Sequence, residues 1–167
     1  IIFDFNQVVI SNLIEHLDDK KHVEEDIGRH MILNTLRTYV KKYKATHGPE
    51  VVIACDSRNY WRKEVFPYYK ASRKANREKS DLDWHMIFDM LSKFKQELRD
   101  NFPYKVIDVD TCEADDIIAR WIHLHPGDHH TIVSSDTDFV QLIAANVNQL
   151  AREPEVHVDR WFGNRFD

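Results

Sequence analysis

Residues 131–142 read TIVSSDTDFVQL, and this stretch decides the fold. A short apolar run ends in Ser134 and Ser135 and then in two carboxylates, Asp136 and Asp138. Ile132 and Val133 suit a parallel strand buried on both faces, and Phe139, Val140, Leu142 and Ile143 suit the apolar side of a following helix. Open α/β sheets bind ligands at the carboxyl ends of their strands, so the two acids are expected at a site edge. Taken alone, the stretch has a plainer reading in which Asp136 and Asp138 only cap and charge a helix N-terminus.

Working outward, the same pattern recurs. Ile1, Ile2 and Phe3 lead into Asp4, and Val51 to Ala54 form a buried run followed by Asp56. Tyr104 to Val109 alternates apolar residues toward Asp110. Between these strands lie helical patterns. After a charged loop from Glu15 to Asp26, the residues Ile27, Met31, Leu36, Val40 and Tyr43 recur at helical spacing as far as His47-Gly48-Pro49. Ser80 and Asp83 resemble a capping box ahead of the apolar face Ile87, Leu91, Phe94 and Leu98, and Asn101-Phe102-Pro103 stops that helix. A further helix opens at Thr111-Cys112-Glu113-Ala114-Asp115-Asp116 and turns Ile117, Ile118, Trp121 and Ile122 inward. Alternating strands and helices predict an α/β three-layer sandwich with a mainly parallel central sheet. An edge strand is expected at Val156 to Val158, with Trp161 and Phe162 beyond it in no assigned role.

A chain of 167 residues fits one domain. With 43% hydrophobic and 31% charged residues it reads as globular, and no apolar run approaches the ~20 residues of a membrane span. No membrane association and no secretory signal are expected. Cys55 and Cys112 form no CxxC pair, so reduced thiols in a cytoplasmic setting are expected. Four glycines occur in no GxGxxG or GxxxxGK[ST] arrangement, which excludes a dinucleotide fingerprint and a P-loop.

Residues 57–79 break the charge pattern. Arg58, Arg62, Lys63, Lys70, Arg73, Lys74, Arg77 and Lys79 face only Glu64 and Glu78, a local charge of +6 in a chain of net −5. Trp61, Phe66, Tyr68 and Tyr69 are interleaved with them. Such a composition suits stacking on bases while cations hold phosphates. A solvated basic helix is the plainer alternative.

If the strands are parallel neighbours, Asp4, Asp56, Asp136 and Asp138 converge at one edge, and Glu113, Asp115 and Asp116 arrive there from a helix start. One or two acids suit any helix N-terminus, but seven convergent ones do not. Spacing puts Glu113 and Asp116 on one side and Asp115 about 200° away from Glu113, without choosing among them. No Lys or Arg lies within these motifs. Like charges about 4 Å apart repel by roughly 4 kcal/mol at an effective dielectric of 20, so the cluster must protonate or bind cations. Carboxylate oxygens point to Mg²⁺ or Mn²⁺, and two such ions can support phosphodiester hydrolysis. The histidine-rich stretch 123–130 falls on the opposite edge and carries no cysteine ligands, which argues against zinc there.

The motifs FDF at Asp4, VVIACD ending in Asp56, YYKASR at 68–73, EADD at 113–116 and SSDTDF at 134–139 occur together, in this order. Through them the chain resembles the phage 5′-nuclease branch of the flap endonuclease family, over nearly its whole length. The resemblance implies a PIN-like fold, with residues 57–80 as a basic helical arch or clamp over the site. It implies that Asp4, Asp56, Glu113, Asp115 and Asp136 hold a first metal and that Asp116 and Asp138 serve a second. It also implies that Lys70 and Arg73 contact the scissile phosphate beside the catalytic Asp136. Arg58, Arg62, Lys63, Tyr69, Lys74 and Arg77 would bind nucleic acid with them.

The activity so implied is that of a 5′-nuclease using two Mg²⁺ ions, with Mn²⁺ as substitute. It would cut DNA with a 5′ end or flap, or remove primers RNase H-fashion from RNA–DNA hybrid, during replication. A single-stranded-DNA-binding protein and a sliding clamp are the expected partners of a monomer, in the host cytoplasm if the chain is phage-encoded. Members of this family continue into a helix-hairpin-helix region with two further aspartates, which these 167 residues do not include. A haloacid-dehalogenase-type phosphatase is the competing enzyme, but it needs a second aspartate where Asn6 stands. A non-catalytic nucleic-acid-binding domain of the same fold would have lost acids that this chain keeps.

Overall fold

A computed structural model of the chain describes residues 1–15 and 24–150. One sheet runs through it, made of β1 (Ile2–Asp4), β2 (Val52–Cys55), β3 (Lys105–Asp108), β4 (His130–Val133) and β5 (Val147–Leu150). Its order is β3-β2-β1-β4-β5, and every neighbouring pair is parallel. The helices are α1 (Phe5–Glu15), α2 (Glu25–His47), α3 (Arg62–Val65), α4 (Ala71–Glu78), α5 (Trp84–Asn101) and α6 (Ala114–Leu124), with a 3₁₀ turn at Thr137–Leu142.

The alternation of strand side chains builds two cores, one on each face. Phe3, Ile53, Cys55 and Val133 pack with Val9 and Leu13 of α1, Ile32 and Leu36 of α2, and Ile87, Leu91, Phe94 and Leu98 of α5. On the other face Ile2, Val52, Ala54 and Ile132 pack with Ile117 and Ile118 of α6 and with Phe139. The three layers are those the sequence predicts. Phe3, Ile53 and Ile132 are fully buried, and burying each such side chain stabilises the fold by about 1.5–3 kcal/mol. β2, β1 and β4 are the interior strands and are buried along their whole length; β3 lies at the edge and is half-exposed.

Several local expectations change. The segment after Asp4 is a helix that the sequence reading passed over; it is buried through Phe5, Val8, Val9, Asn12 and Leu13, a helical spacing blurred by the polar Asn12 inside the stripe and by Ile10 and Ile14 outside it. On α2 the inward face is Ile32 and Leu36, whereas Ile27 is about half-exposed at 52%. Gly48 ends α2 at φ 69°, a left-handed conformation that favours glycine, and its N–H donates to the Lys44 carbonyl. α5 is capped by Asp83, whose carboxylate accepts from Met86 N at 3.0 Å; Ser80 instead accepts from Leu82 N. After β4 the expected helix is only a 3₁₀ turn, because the crossover to β5 has just residues 134–146 in which to return. β5 itself lacks a recognisable apolar pattern. The expected strand at 156–158, Trp161 and Phe162 lie outside the described residues.

On the amino edge of the sheet His130 is buried and its Nε2 pairs with the His125 carbonyl, while His125 stacks on Trp121. His47 Nε2 pairs with the Thr131 hydroxyl. These imidazoles brace turns. Among the described residues no helix is long and apolar enough to cross a membrane.

Candidate active site

The parallel sheet delivers its acids to one edge. Asp4 is the last residue of β1, Asp56 follows β2, Asp136 and Asp138 follow β4, and Glu113, Asp115 and Asp116 open α6. The seven do not form a single cluster. Asp115, Asp136 and Asp138 each place one carboxylate oxygen within 4.8 Å of the others. Asp136 caps the 3₁₀ turn by accepting from Asp138 N at 2.9 Å. Burial, and then the charge of Asp136, push the Asp115 carboxyl up to about 6.

Asp4 and Asp56 stand behind this trio. Asp4 is buried, its Oδ2 accepts from the Ser134 hydroxyl at 3.0 Å, and burial followed by the charge of Asp56 raises its pKa to about 7. Asp56 accepts from Ala114 N at 2.7 Å, which ties the end of β2 to the start of α6; burial raises its pKa as well. Burial and mutual repulsion therefore raise Asp4, Asp56 and Asp115, and the charge of Lys70 offsets this only in part at Asp56 and Asp115.

Glu113 and Asp116 are different. Glu113 caps α6 and forms a reciprocal capping box with Asp116. Arg62 of α3 donates a fork to Asp116 at 2.7 and 2.8 Å and reaches Glu113 at 3.0 Å. Trp61 Nε1 donates to Asp116 at 3.2 Å, the Tyr69 hydroxyl donates to Glu113 at 2.8 Å, and the Lys70 ammonium pairs with the other Glu113 oxygen. Burial opposes ionisation of Asp116, but the Arg62 bonds prevail and hold it below the usual carboxylate range. The cations missing from the acidic motifs thus come from the basic segment, across the fold.

That segment runs through α3 and α4 above the sheet edge. Lys70 sits at φ 52°, a left-handed conformation rare for a residue with a side chain, at the corner where α4 begins, with its ammonium directed to Glu113. Arg73, Lys74 and Lys63 are exposed; Lys74 faces Glu78 at 4.0 Å and the Lys63 ammonium lies 5.2 Å from the Tyr60 ring centroid. Trp61, Phe66 and Tyr68 are exposed, at 42%, 55% and 77%. Beside Asp56 a cavity of about 500 Å³ is lined by Arg58, Tyr60 and Arg77 from the basic segment and by His85 and Phe88 from α5. The residues expected to bind nucleic acid therefore divide: Arg62, Tyr69 and Lys70 reach down to the acids, and Arg58, Lys63, Arg73, Lys74 and Arg77 remain along the basic segment or the cavity beside it.

Sequence reasoning missed the polar residues that hold these acids. Ser134 links Asp4 to the Asp136 backbone, its Oγ accepting from Asp136 N at 3.1 Å. Gln7 N donates to Asp4 Oδ1 at 3.4 Å, and Gln149 binds main-chain oxygens of the acid-bearing loop. The SS of SSDTDF was a visible signal for the first, whereas nothing local marked the glutamines.

Fold and site together define an α/β domain with a carboxylate centre beside a basic helical segment. The model of the 5′-3′ exonuclease N-terminal resolvase-like domain matches residues 12–165, and the chain belongs to that family. Among curated relatives it is 37% identical over 145 residues to ribonuclease H of Enterobacteria phage T4, covering 84% of this chain and 48% of that one. It is 31% identical over 114 residues to a 5′-3′ exonuclease of Streptomyces coelicolor, covering 65% of this chain and 38% of that one. The chain thus spans about half the length of its curated relatives or less. The same fold occurs in the T5 5′-exonuclease solved with divalent zinc ions, at a TM-score of 0.74 and 20% identity over 98% of this chain and 59% of that one. It occurs also in a T5 flap endonuclease variant complexed with DNA and metal ions, at a TM-score of 0.70 and 21% identity over 90% of this chain and 54% of that one.

Proposed function

We propose that residues 1–167 form the catalytic domain of a divalent-metal-dependent 5′-nuclease, with 57–80 as its arch. The observation that carries this reading is the trio Asp115, Asp136 and Asp138, whose oxygens lie within 4.8 Å of one another beside Asp4 and Asp56. The donor set fits a hard cation: it is all carboxylate, and Asp115 is ionised only against burial and its neighbours' repulsion. Asp115, Asp136 and Asp138 would hold the ion, with Asp4 and Asp56 at its side. Mg²⁺ is the expected metal, Mn²⁺ its substitute, and two ions the expected complement. Bound there, divalent ions lower the pKa of water and stabilise the leaving oxygen of an in-line phosphoryl displacement.

The chain's own residues do the rest. Arg58, Arg77 and the aromatic faces of Tyr60 and Phe88 receive the strand that carries the 5′ end in the cavity beside Asp56. Lys70 and Arg73, on the turn and first helical residues of the arch, orient the scissile phosphate and meet the charge that builds on it. Glu113 and Asp116 dock the arch through Arg62, Tyr69 and Lys70. The substrates are DNA with a 5′ end or flap and RNA–DNA hybrid, as the relatives' names support. A single-stranded-DNA-binding protein and a sliding clamp are the protein partners proposed for a monomer acting in replication in the host cytoplasm.

Cleavage of 5′-labelled flap and hybrid substrates, with Mg²⁺ or chelator, tests the reading; products are expected only with metal and not with Asp136→Asn. Thermal melts add an independent readout, because a ligand bound only to the folded state at a hundredfold excess over Kd stabilises by about 2.7 kcal/mol. No metal-dependent cleavage and no shift at millimolar Mg²⁺ or Mn²⁺ would overturn it.

A further inference from the structure

The carboxamide of Gln149 is committed to the loop that carries Asp136 and Asp138. Its Nε2 donates to the carbonyl oxygens of Ser134 at 2.9 Å and of Asp136 at 2.6 Å. An amide nitrogen has two hydrogens, so both are used. The β4–β5 ladder ends at the pair Val133 and Leu150, followed by one bond from Ser134 N to the Leu150 carbonyl at 3.1 Å. Gln149, level with Ile132 in that register, extends the grip of β5 to Asp136. From the opposite side Gln7 of α1 donates to the Ser135 hydroxyl, and its Oε1 accepts from Ser135 N at 3.4 Å.

We infer that Gln149 is a positioning residue that fixes the backbone on both sides of Ser135, keeping the Asp136 and Asp138 carboxylates beside that of Asp115 as a divalent-cation site. The inference rests on the metal-site reading above. Gln149 acts through main-chain oxygens. The span it holds contains the Ser134 hydroxyl, which connects Asp4 Oδ2 at 3.0 Å to Asp136 N at 3.1 Å, so a shift there moves several acids together. Only a side chain with two donors on one atom, of this length and without charge, serves both carbonyls. Ionised Glu would set acceptors against acceptors, and Met would fill the space while leaving both carbonyls without these donors.

The test is a metal titration of stability on the full chain, read as the midpoint for Mn²⁺ or Mg²⁺ in thermal melts, alongside melts in chelator and single-turnover cleavage. Gln149→Met is expected to weaken the metal midpoint about tenfold or more, the usual cost of losing a partner that orients metal ligands. Its kcat should fall in proportion, with KM for the nucleic acid unchanged. Asn148→Ala, on the exposed side of the same strand, should change none of these. A midpoint equal to wild type, or a melting temperature lowered equally with metal and with chelator, overturns the inference and leaves the metal reading standing. If wild type itself shows no metal-dependent shift, the metal reading falls and takes the inference with it. Gln149→Asn, which keeps the amide but is one methylene short, must show the same selective loss, and it decides the question if Gln149→Met does not fold. If neither variant folds, Gln149 is structural and the inference is overturned.

Discussion

Asp115 and Asp116 are adjacent on α6 and meet opposite electrostatic solutions. Asp116, with Glu113, is paired by Arg62 and Lys70 from the basic segment. Asp115 turns the other way, into a group with Asp136 and Asp138 where its carboxyl is pushed up to about 6. Two acids of the EADD motif, Glu113 and Asp116, are paired within the chain, and the third, Asp115, joins the acidic trio. Acids drawn from one motif need not share a role, because a helix turn separates neighbouring side chains by about 100°.

The largest test of this contrast removes the centre of the unpaired group. Asp136→Asn should slow single-turnover cleavage about 1,000-fold or more, since several kcal/mol of charge stabilisation are at stake. Its melting temperature in chelator should not fall. A variant that still cuts at the wild-type rate would show that the chemistry lies elsewhere.

Next in size, Lys70→Ala and Arg73→Ala should slow cleavage about 100-fold while changing the affinity for nucleic acid little, because they act on charge that develops in the transition state. Arg58→Ala, in the cavity wall, should do the reverse and flatten the salt dependence of binding. Rates and affinities measured at several salt concentrations separate the two. Loss of affinity without loss of rate would reduce Lys70 and Arg73 to ordinary phosphate contacts.

The neighbouring aspartates should respond with opposite sign in metal-free melts. Asp116→Asn weakens the charge-assisted bonds to Arg62 and should destabilise by about 2 kcal/mol. Asp115→Asn relieves repulsion and should stabilise. Arg62→Lys should not rescue the docking, since an ammonium lacks the planar fork that meets both Asp116 oxygens. Equal responses at 115 and 116 would erase the distinction between the two groups.

The same contrast can be read through pH. The folded pKa values of Asp4 and Asp115 are raised to about 7 and about 6, so the folded state binds protons more tightly than the unfolded chain does. The contribution of these two carboxyls to the stability of the metal-free protein should therefore rise as pH falls from 8 to 5, the gain being complete only below the unfolded value near 3.8, while His47 and the N-terminal amine, both lowered by burial, act in the opposite sense. Asp116, shifted the other way, loses its contribution only at still lower pH. Saturating Mg²⁺ should flatten this contribution, and an Asp115→Asn variant with the same metal-free pH trend as wild type would contradict it.

The sequence by itself determined the layers and the edge. Apolar runs ending in acids at Asp4, Asp56 and Asp136 pointed to interior parallel strands with their carboxyl ends together, because a strand buried on both faces shows no alternation and its charges collect where it ends. It also determined that cations and acids are segregated along the chain. What it could not determine was which acids meet which cations. Arg62 and Glu113 are 51 positions apart, and a pairing across such a distance is set by how α3 and α6 pack, which no local pattern encodes. The same holds for Gln149: a polar residue on a short edge strand carries no signal until the sheet places it beside the Ser134 and Asp136 carbonyls. Periodicity records which face of an element is buried, and tertiary structure alone decides what lies opposite it.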